Sequence, residues 1–232
     1  MSHSTPAVIV GIDEAGRGAL AGPVVAAACV EIPELSAQAC IRDSKQLQPQ
    51  KRENAYAWIA EHCLWGIGSV DAAIIDEKGI LSATEQAMQT AVADLEKSVT
   101  PTYLLIDGRD KFWFNYPHSS IVRGDTSERC IAAASILAKV TRDRLMVEYG
   151  RRLPYGFEIH KGYGTKSHFA AIQKHGLSIL HRRTFLKNRT THSAPTRNGL
   201  EWNPYQNDAL PSRESPPLQT PELSVPVPAS VP

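Results

Sequence analysis

Uninterrupted β-branched runs alternate along this chain with stretches of helical period. Val8–Ile12 has no polar side chain and predicts a buried strand. Gly22-Pro23 leads into Val24–Ile32, another β-branched run and the expected hairpin partner of the first. Pro49 opens a helix through about Cys63, with Tyr56, Ile59, Ala60 and Cys63 on one stripe. Leu64–Val70 predicts a third strand, and Ala83–Leu95 a helix carrying Ala87, Met88, Ala91 and Leu95 at helical spacing. Two short runs, Tyr103–Ile106 and Ser120–Val122, predict two more strands. The longest predicted helix covers about Ser127 to Tyr149; it is apolar nearly all round from Cys130 to Val140 and so should lie against the sheet. A last helix, about Lys166 to His175, closes at Gly176.

Three of the predicted strands share one feature: each ends at an acid. Val8–Ile12 runs into Asp13-Glu14, Tyr103–Ile106 into Asp107-Gly108, and Ser120–Val122 into Gly124-Asp125. If these strands are neighbours, the acids gather at one edge. Carboxylates that close repel and raise one another's pKa values unless a cation neutralises them. Oxygen ligands without His or Cys select Mg²⁺ or Mn²⁺ rather than zinc, and two such ions about 4 Å apart serve in-line displacement at phosphate. Alternation along a strand starts Asp13 and Glu14 on opposite faces, so one site can use both only if Glu14 sits where the chain begins to turn. Each acid also has a plainer reading. Asp13-Glu14 can be a solvated pair, Asp107-Gly108 a turn, and Asp125 the N-cap of the long helix, with Glu128 three residues on. Asp76, Asp94, Asp110 and Asp143 are read as solvated or salt-bridged.

Composition narrows the class. The chain has 232 residues, a formal net charge of +1 and enough apolar content for a full core. Four cysteines, Cys29, Cys40, Cys63 and Cys130, show no paired metal spacing and read as buried free thiols. No N-terminal leader pattern or membrane-length apolar run appears, which points to the cytoplasm and away from a membrane. From Thr190 onward the character changes: nine of the sixteen prolines lie there, with two Arg against four acids and no apolar period. Such a segment cannot offset its ordering entropy. The expected organisation is one α/β domain, residues 1–189, and a disordered Pro-rich tail, residues 190–232.

Gly11-Ile12-Asp13-Glu14-Ala15-Gly16-Arg17-Gly18, with Gly22-Pro23 after it, resembles the ribonuclease HII family, the type 2 ribonucleases H. So do Asp43-Ser44-Lys45, Ile106-Asp107-Gly108, Gly124-Asp125, Ala132–Arg144, His160–Thr165 and His181-Arg182-Arg183-Thr184-Phe185, over roughly residues 8 to 187. Several long motifs in one order are far more specific than one short pattern. The resemblance implies a ribonuclease H-like mixed sheet flanked by helices, with a C-terminal helical portion. It puts the four catalytic, metal-holding acids at Asp13, Glu14, Asp107 and Asp125. The Gly-Arg-Gly turn falls on Gly16, Arg17 and Gly18, and a substrate-sensing tyrosine on Tyr163. The implied activity is cleavage of the RNA strand of RNA–DNA hybrids. It extends to cutting 5′ of single ribonucleotides in duplex DNA, leaving 3′-hydroxyl and 5′-phosphate ends. The implied cofactors are Mg²⁺ or Mn²⁺, two ions per site.

The residues themselves fit that substrate. Arg17, Lys45, Lys139, Arg142, Lys161, Arg182 and Arg183 are candidate phosphate contacts, although solvated surface charge explains such residues equally well. Gly16 and Gly18 let backbone groups approach a 2′-hydroxyl, and Tyr163, between glycines, either stacks on substrate or closes the core. The expected form is a monomer. The tail has no clear sliding-clamp peptide, so its partner is unassigned. Two rival functions stay open: a DNA-directed nuclease of the same fold, and a hybrid-binding module without chemistry.

Overall fold

The computed structural model describes residues 7–37, 41 and 47–186. Lys45, Cys40 and the proposed tail lie outside the described residues. Five strands form one sheet in the order β3-β2-β1-β4-β5: β1 Ile9–Ala15, β2 Val24–Val30, β3 Trp65–Val70, β4 Tyr103–Asp107 and β5 His118–Ile121. β1 and β2 make the expected antiparallel hairpin, with Ile12 opposite Ala28, and β3 continues antiparallel along β2. β4 and β5 run parallel to β1, so three strands deliver their C-terminal ends to the same edge. In open sheets of this kind that edge is where ligands bind.

The pleat sorts the core into two layers. Val10, Ile12, Val24, Ala26, Ala28, Leu104 and Ile106 face a helix α3 (Ile80–Leu95), which presents Ala83, Ala87, Met88, Ala91 and Leu95. Ala15, Ala27 and Cys29 face the central helix α5 (Arg129–Arg152), through Ala133, Ala134, Ile136 and Leu137. α1 (Pro49–His62) packs on α5 through Ala55 and Ile59. Small residues let both helices ride directly on the strands. A Cβ at Gly11 would stand 2.2 Å from the Cys130 carbonyl carbon, and one at Gly68 2.0 Å from the Ala87 oxygen.

Cys29, Cys63 and Cys130 are buried free thiols, as their apolar settings predict. Three short elements escape the periodicity. α2 (Ala72–Lys78) is capped by Asp71, whose carboxylate accepts from the Ile74 N–H at 3.0 Å, and it ends at Gly79 with φ +82°. Two others, α4 (Gly124–Ser127) and α6 (Phe157–His160), are single turns too short to show a period. α7 (Lys166–His175) matches its predicted bounds, and α8 (Arg183–Leu186) follows. Asp76 fixes α8 by accepting from the Arg183 and Thr184 N–H groups at 2.8 and 2.9 Å.

One expectation needs correction. Asp125 is not the N-cap of the long helix: it lies inside α4, 3% exposed, and Glu128 occupies the cap position of α5 without a side-chain capping bond. Left-handed Arg123, φ 58°, tightens the chain into an extra turn before α5, and that turn carries Asp125 inward.

Candidate active site

Asp13 sits near the end of β1, only 4% exposed, and faces α5. Its carboxylate accepts the Glu14 N–H at 2.7 Å and a bond from Ser135 of α5. Burial, then the charges of Glu14 and Asp107, raise its pKa well above the ordinary carboxylate range. Glu14 has not left the ladder; it still pairs with Ala26, and the strand continues to Ala15. The turn required for both acids to share a site therefore starts later than the sequence reasoning demands. Both acids nonetheless feel the charge of Asp107. Glu14 is also raised, chiefly by burial, although Arg17 opposes the shift. One of its oxygens accepts from Arg17 at 3.2 Å, and the other, Oε2, is buried without a hydrogen-bond partner.

Asp107 closes β4, and Gly108 takes φ +105° directly after it. The Asp107 Oδ1 lies 3.4 Å from the Asp125 N–H, which brings α4 onto the end of β4. Asp13, Asp107 and Asp125 thus converge on the edge that β1, β4 and β5 share, with Glu14 entering from the other pleat. Among the described residues, no group of three or more acidic, histidine or cysteine side chains forms a ready-made ion cage. A lone pair buried without a donor and acids destabilised by one another's charge are what a hard divalent cation would relieve. Magnesium characteristically takes one or two carboxylates and fills its shell with water and substrate phosphate. The residues present fit such an ion.

Beside this edge lies a cavity of about 250 Å³ lined by Glu14, Ala15, Gly16, Arg52, Ser135, Ile136, Lys139 and Tyr163. Tyr163 is 37% exposed at its mouth, which removes the reading of this ring as a core plug. Its neighbours are cationic: the Lys139 ammonium is 5.8 Å and the Arg142 guanidinium 5.4 Å from the ring centre. Lys139 pairs with Asp143 at 2.8 Å, which accounts for that acid. A larger cavity of about 530 Å³, between α1 and α5, shares Arg52 but contains none of the four acids.

The basic candidates divide. Arg17 bridges two acids, Glu14 at 3.2 Å and Asp110 at 2.9 Å, and remains partly exposed. Arg183 is exposed on α8. Arg142 and Arg182 are fully buried and reach no surface phosphate, which corrects the sequence reading of both. Arg142 donates to the carbonyls of Pro23, Lys161 and Ala21, and Arg182 to those of Gly22 and Arg17. Burial and the charge of Arg142 push Arg182 down to about 9, so it is still a cation at neutral pH. Ser135 and Arg52 were not singled out by the sequence. For Ser135 the available signal was a lone hydroxyl in the apolar run of α5.

Behind Tyr163 stand three buried histidines whose protons the backbone assigns. The Ser178 N–H donates to His181 Nδ1 at 2.9 Å, so His181 Nε2–H donates to His168 Nε2 at 3.2 Å. His168 Nδ1–H then donates to the Tyr163 carbonyl at 3.0 Å. His160 stacks on His168 with ring centres 4.3 Å apart; it accepts from Gly162 N–H and donates to the Tyr155 carbonyl. Burial lowers His168, and burial with the neighbouring His168 takes His181 down to about 4.

The ribonuclease HII family model matches residues 10–188. A ribonuclease HII from Geotalea uraniireducens is 51% identical over 181 residues, covering 77% of this chain and 82% of that protein. The fold is also that of the ribonuclease H2 from Pyrococcus horikoshii OT3, at a TM-score of 0.65 and 24% identity, over 76% of this chain and 93% of the other. Bst-RNase HIII in complex with Mn²⁺ shares it at a TM-score of 0.60 and 17% identity, over 79% and 70%. Matched from β1 through α8, this chain belongs to the ribonuclease HII family, metal-dependent endoribonucleases that act on RNA–DNA hybrids.

Proposed function

We propose that this enzyme also cuts duplex DNA on the 5′ side of a single embedded ribonucleotide, leaving 3′-hydroxyl and 5′-phosphate ends. Asp13, Glu14, Asp107 and Asp125 would hold two divalent ions, Mg²⁺ or Mn²⁺. The observation that carries this reading is the convergence of Asp13 on β1, Asp107 on β4 and Asp125 on α4 at one sheet edge, beside a buried, unpartnered Glu14 oxygen. When bound, paired ions supply a nucleophile at neutral pH and stabilise the leaving oxygen of an in-line displacement.

The chain's own residues do the rest. Ser135 and the Glu14 N–H hold the Asp13 carboxylate in one orientation. Arg17, tied to Glu14 and Asp110, holds the Gly16–Gly18 turn beside the acids. Gly16, at φ +96°, lies where a Cβ would strike the buried Arg142 side chain at 1.9 Å, so only glycine lets the turn close down on that guanidinium. The turn's peptide groups can meet the 2′-hydroxyl that separates RNA from DNA. Tyr163 offers its face to the sugar or base of the junction. Arg183, Lys139 and, outside the described residues, Lys45 supply phosphate contacts.

Among the described residues no helix is long and apolar enough to cross a membrane. We read the enzyme as a cytoplasmic monomer, with residues 190–232 as a tail without a share in catalysis. A duplex bearing one ribonucleotide, compared with its all-DNA twin with and without EDTA, tests the function. Cleavage confined to the ribonucleotide duplex and abolished by EDTA is the expected result. Cutting of the all-DNA twin would identify a DNA-directed nuclease, and binding without turnover a non-catalytic module.

A further inference from the structure

The segment Gly16–Pro23 is held from behind by two fully buried cations, Arg142 and Arg182. Six hydrogen bonds from the Arg142 and Arg182 guanidiniums end on backbone carbonyls, five of them within residues 17–23. The sixth differs: Arg142 Nη1 donates to the Lys161 carbonyl at 2.9 Å, two residues before Tyr163. Lys161 has φ 53°, a left-handed conformation that a residue with a side chain keeps only where its surroundings impose it. The two segments also touch directly. Leu20 N–H donates to the Gly162 carbonyl at 2.8 Å, and a Cβ at Gly162 would stand 2.4 Å from the Ala21 oxygen. Arg142 thus grips both segments at once, with its charge beneath the Tyr163 ring.

We propose that Arg142 is a positioning residue for substrate discrimination: its buried guanidinium fixes the spacing between the Gly16–Gly18 turn and Tyr163. The proposal rests on the reading that those two elements frame the ribonucleotide. A planar fork with several fixed donors can bind three carbonyls of two segments at set angles, whereas an ammonium is a point donor on a flexible stem. Burial opposes the charge of Arg142, which Tyr163 and Asp143 favour, while the carbonyls of Pro23, Ala21 and Lys161 accept its donors. The consequence is selective. A long RNA–DNA hybrid presents a 2′-hydroxyl in every register, so a misplaced ring still meets productive frames. A single ribonucleotide presents one register, and there an error of about 1 Å can cost ~100-fold.

The test compares wild type, Arg142→Lys and Arg142→Ala on both substrates, with Mn²⁺ titration of each protein followed by melting. The expected result for Arg142→Lys is a fall in kcat of about 10- to 100-fold on the single-ribonucleotide duplex. The loss on the long hybrid should be several-fold smaller, with KM and the Mn²⁺ midpoint near wild type. Arg142→Ala should show the same bias more strongly; if it does not fold, Arg142→Lys decides. Equal losses on the two substrates, or no loss, overturn the proposal and leave Arg142 as packing. A wild type that leaves the single-ribonucleotide duplex uncut overturns the substrate reading and the proposal with it. A wild type that cuts, beside variants with an unchanged ratio, overturns the proposal alone.

Discussion

Two regions of this enzyme bury polar groups, and they do so in opposite ways. Near the end of β1, beside Asp107 of β4, Asp13 and Glu14 are pushed up by burial and by neighbouring carboxylates, and a Glu14 oxygen has no donor. Behind Tyr163, two guanidiniums and three imidazoles are just as deeply enclosed, yet their hydrogen bonds run to named backbone and histidine partners. The first region is left unfinished toward a ligand, and the second is finished internally. The first arrangement suits the candidate reaction centre, because groups already satisfied by the protein have nothing to offer a substrate. The loops that frame the centre need the second, because their placement must not depend on what binds.

The sharpest way to break this contrast is Asp13→Asn. Cleavage should fall by about 10³-fold or more, the scale on which loss of one preorganised electrostatic group is felt. Substrate binding should largely survive. The melting temperature without divalent ions should hold or rise, since burial no longer opposes an ionised carboxyl. A mutant that turns over like wild type in Mg²⁺, or that melts much earlier, would place Asp13 in the finished region instead.

Arg182→Ala probes the other side. Stripping its donors from the Gly22 and Arg17 carbonyls should cost about 3 kcal/mol of stability, read by denaturant unfolding. Mn²⁺ affinity of the folded fraction should stay put. Tyr163→Ala, at the border of the two regions, should lose about 100-fold on single-ribonucleotide duplex. Being partly exposed, it should melt within a few degrees of wild type. Early melting with normal cutting in the cold would make the ring a structural one.

The smallest effect concerns pH. His181 has a folded pKa of about 4 against an unfolded value near 6.5, so between those values the unfolded chain binds the proton first. Stability is therefore full above about pH 6.5 and declines as the pH falls through that window. From pH 7 to 5 the loss is about 2 kcal/mol, by unfolding titration. In His181→Gln that slope should shrink. Asp13 and Glu14 act in the opposite sense, because their raised pKa values favour the fold in acid, so the difference between variant and wild type is the quantity to compare.

The site was legible in the sequence to the extent that strands were. Three of the strand runs stop at an acid, and parallel pairing of β1, β4 and β5 brings those stops together. Asp125 was harder, because S/T/D-x-x-E reads as a cap, and only the left-handed Arg123 converts it into a separate inward turn. Arg142 and Arg182 were misread because one letter serves both a phosphate contact and a buried clamp. For Arg142 a signal existed: Ala138, Arg142 and Met146 lie four apart and are all buried, so the arginine continues the apolar stripe of α5. For Arg182 there was none, since its burial is set by the Gly22 carbonyl 160 residues away.

The histidine chain behind Tyr163 carries one more consequence. Because the Ser178 amide fixes the tautomer of His181, the proton between His181 and His168 belongs to a single, solvent-shielded imidazole. Such a proton exchanges slowly enough with water to give its own downfield magnetic resonance line. The far end of the same chain is the Tyr163 carbonyl, so any shift of that loop on a substrate changes the polarisation along the relay. The enzyme thus contains an unlabelled spectroscopic probe through which movement of the Tyr163 loop can be followed in the presence of a diamagnetic ion.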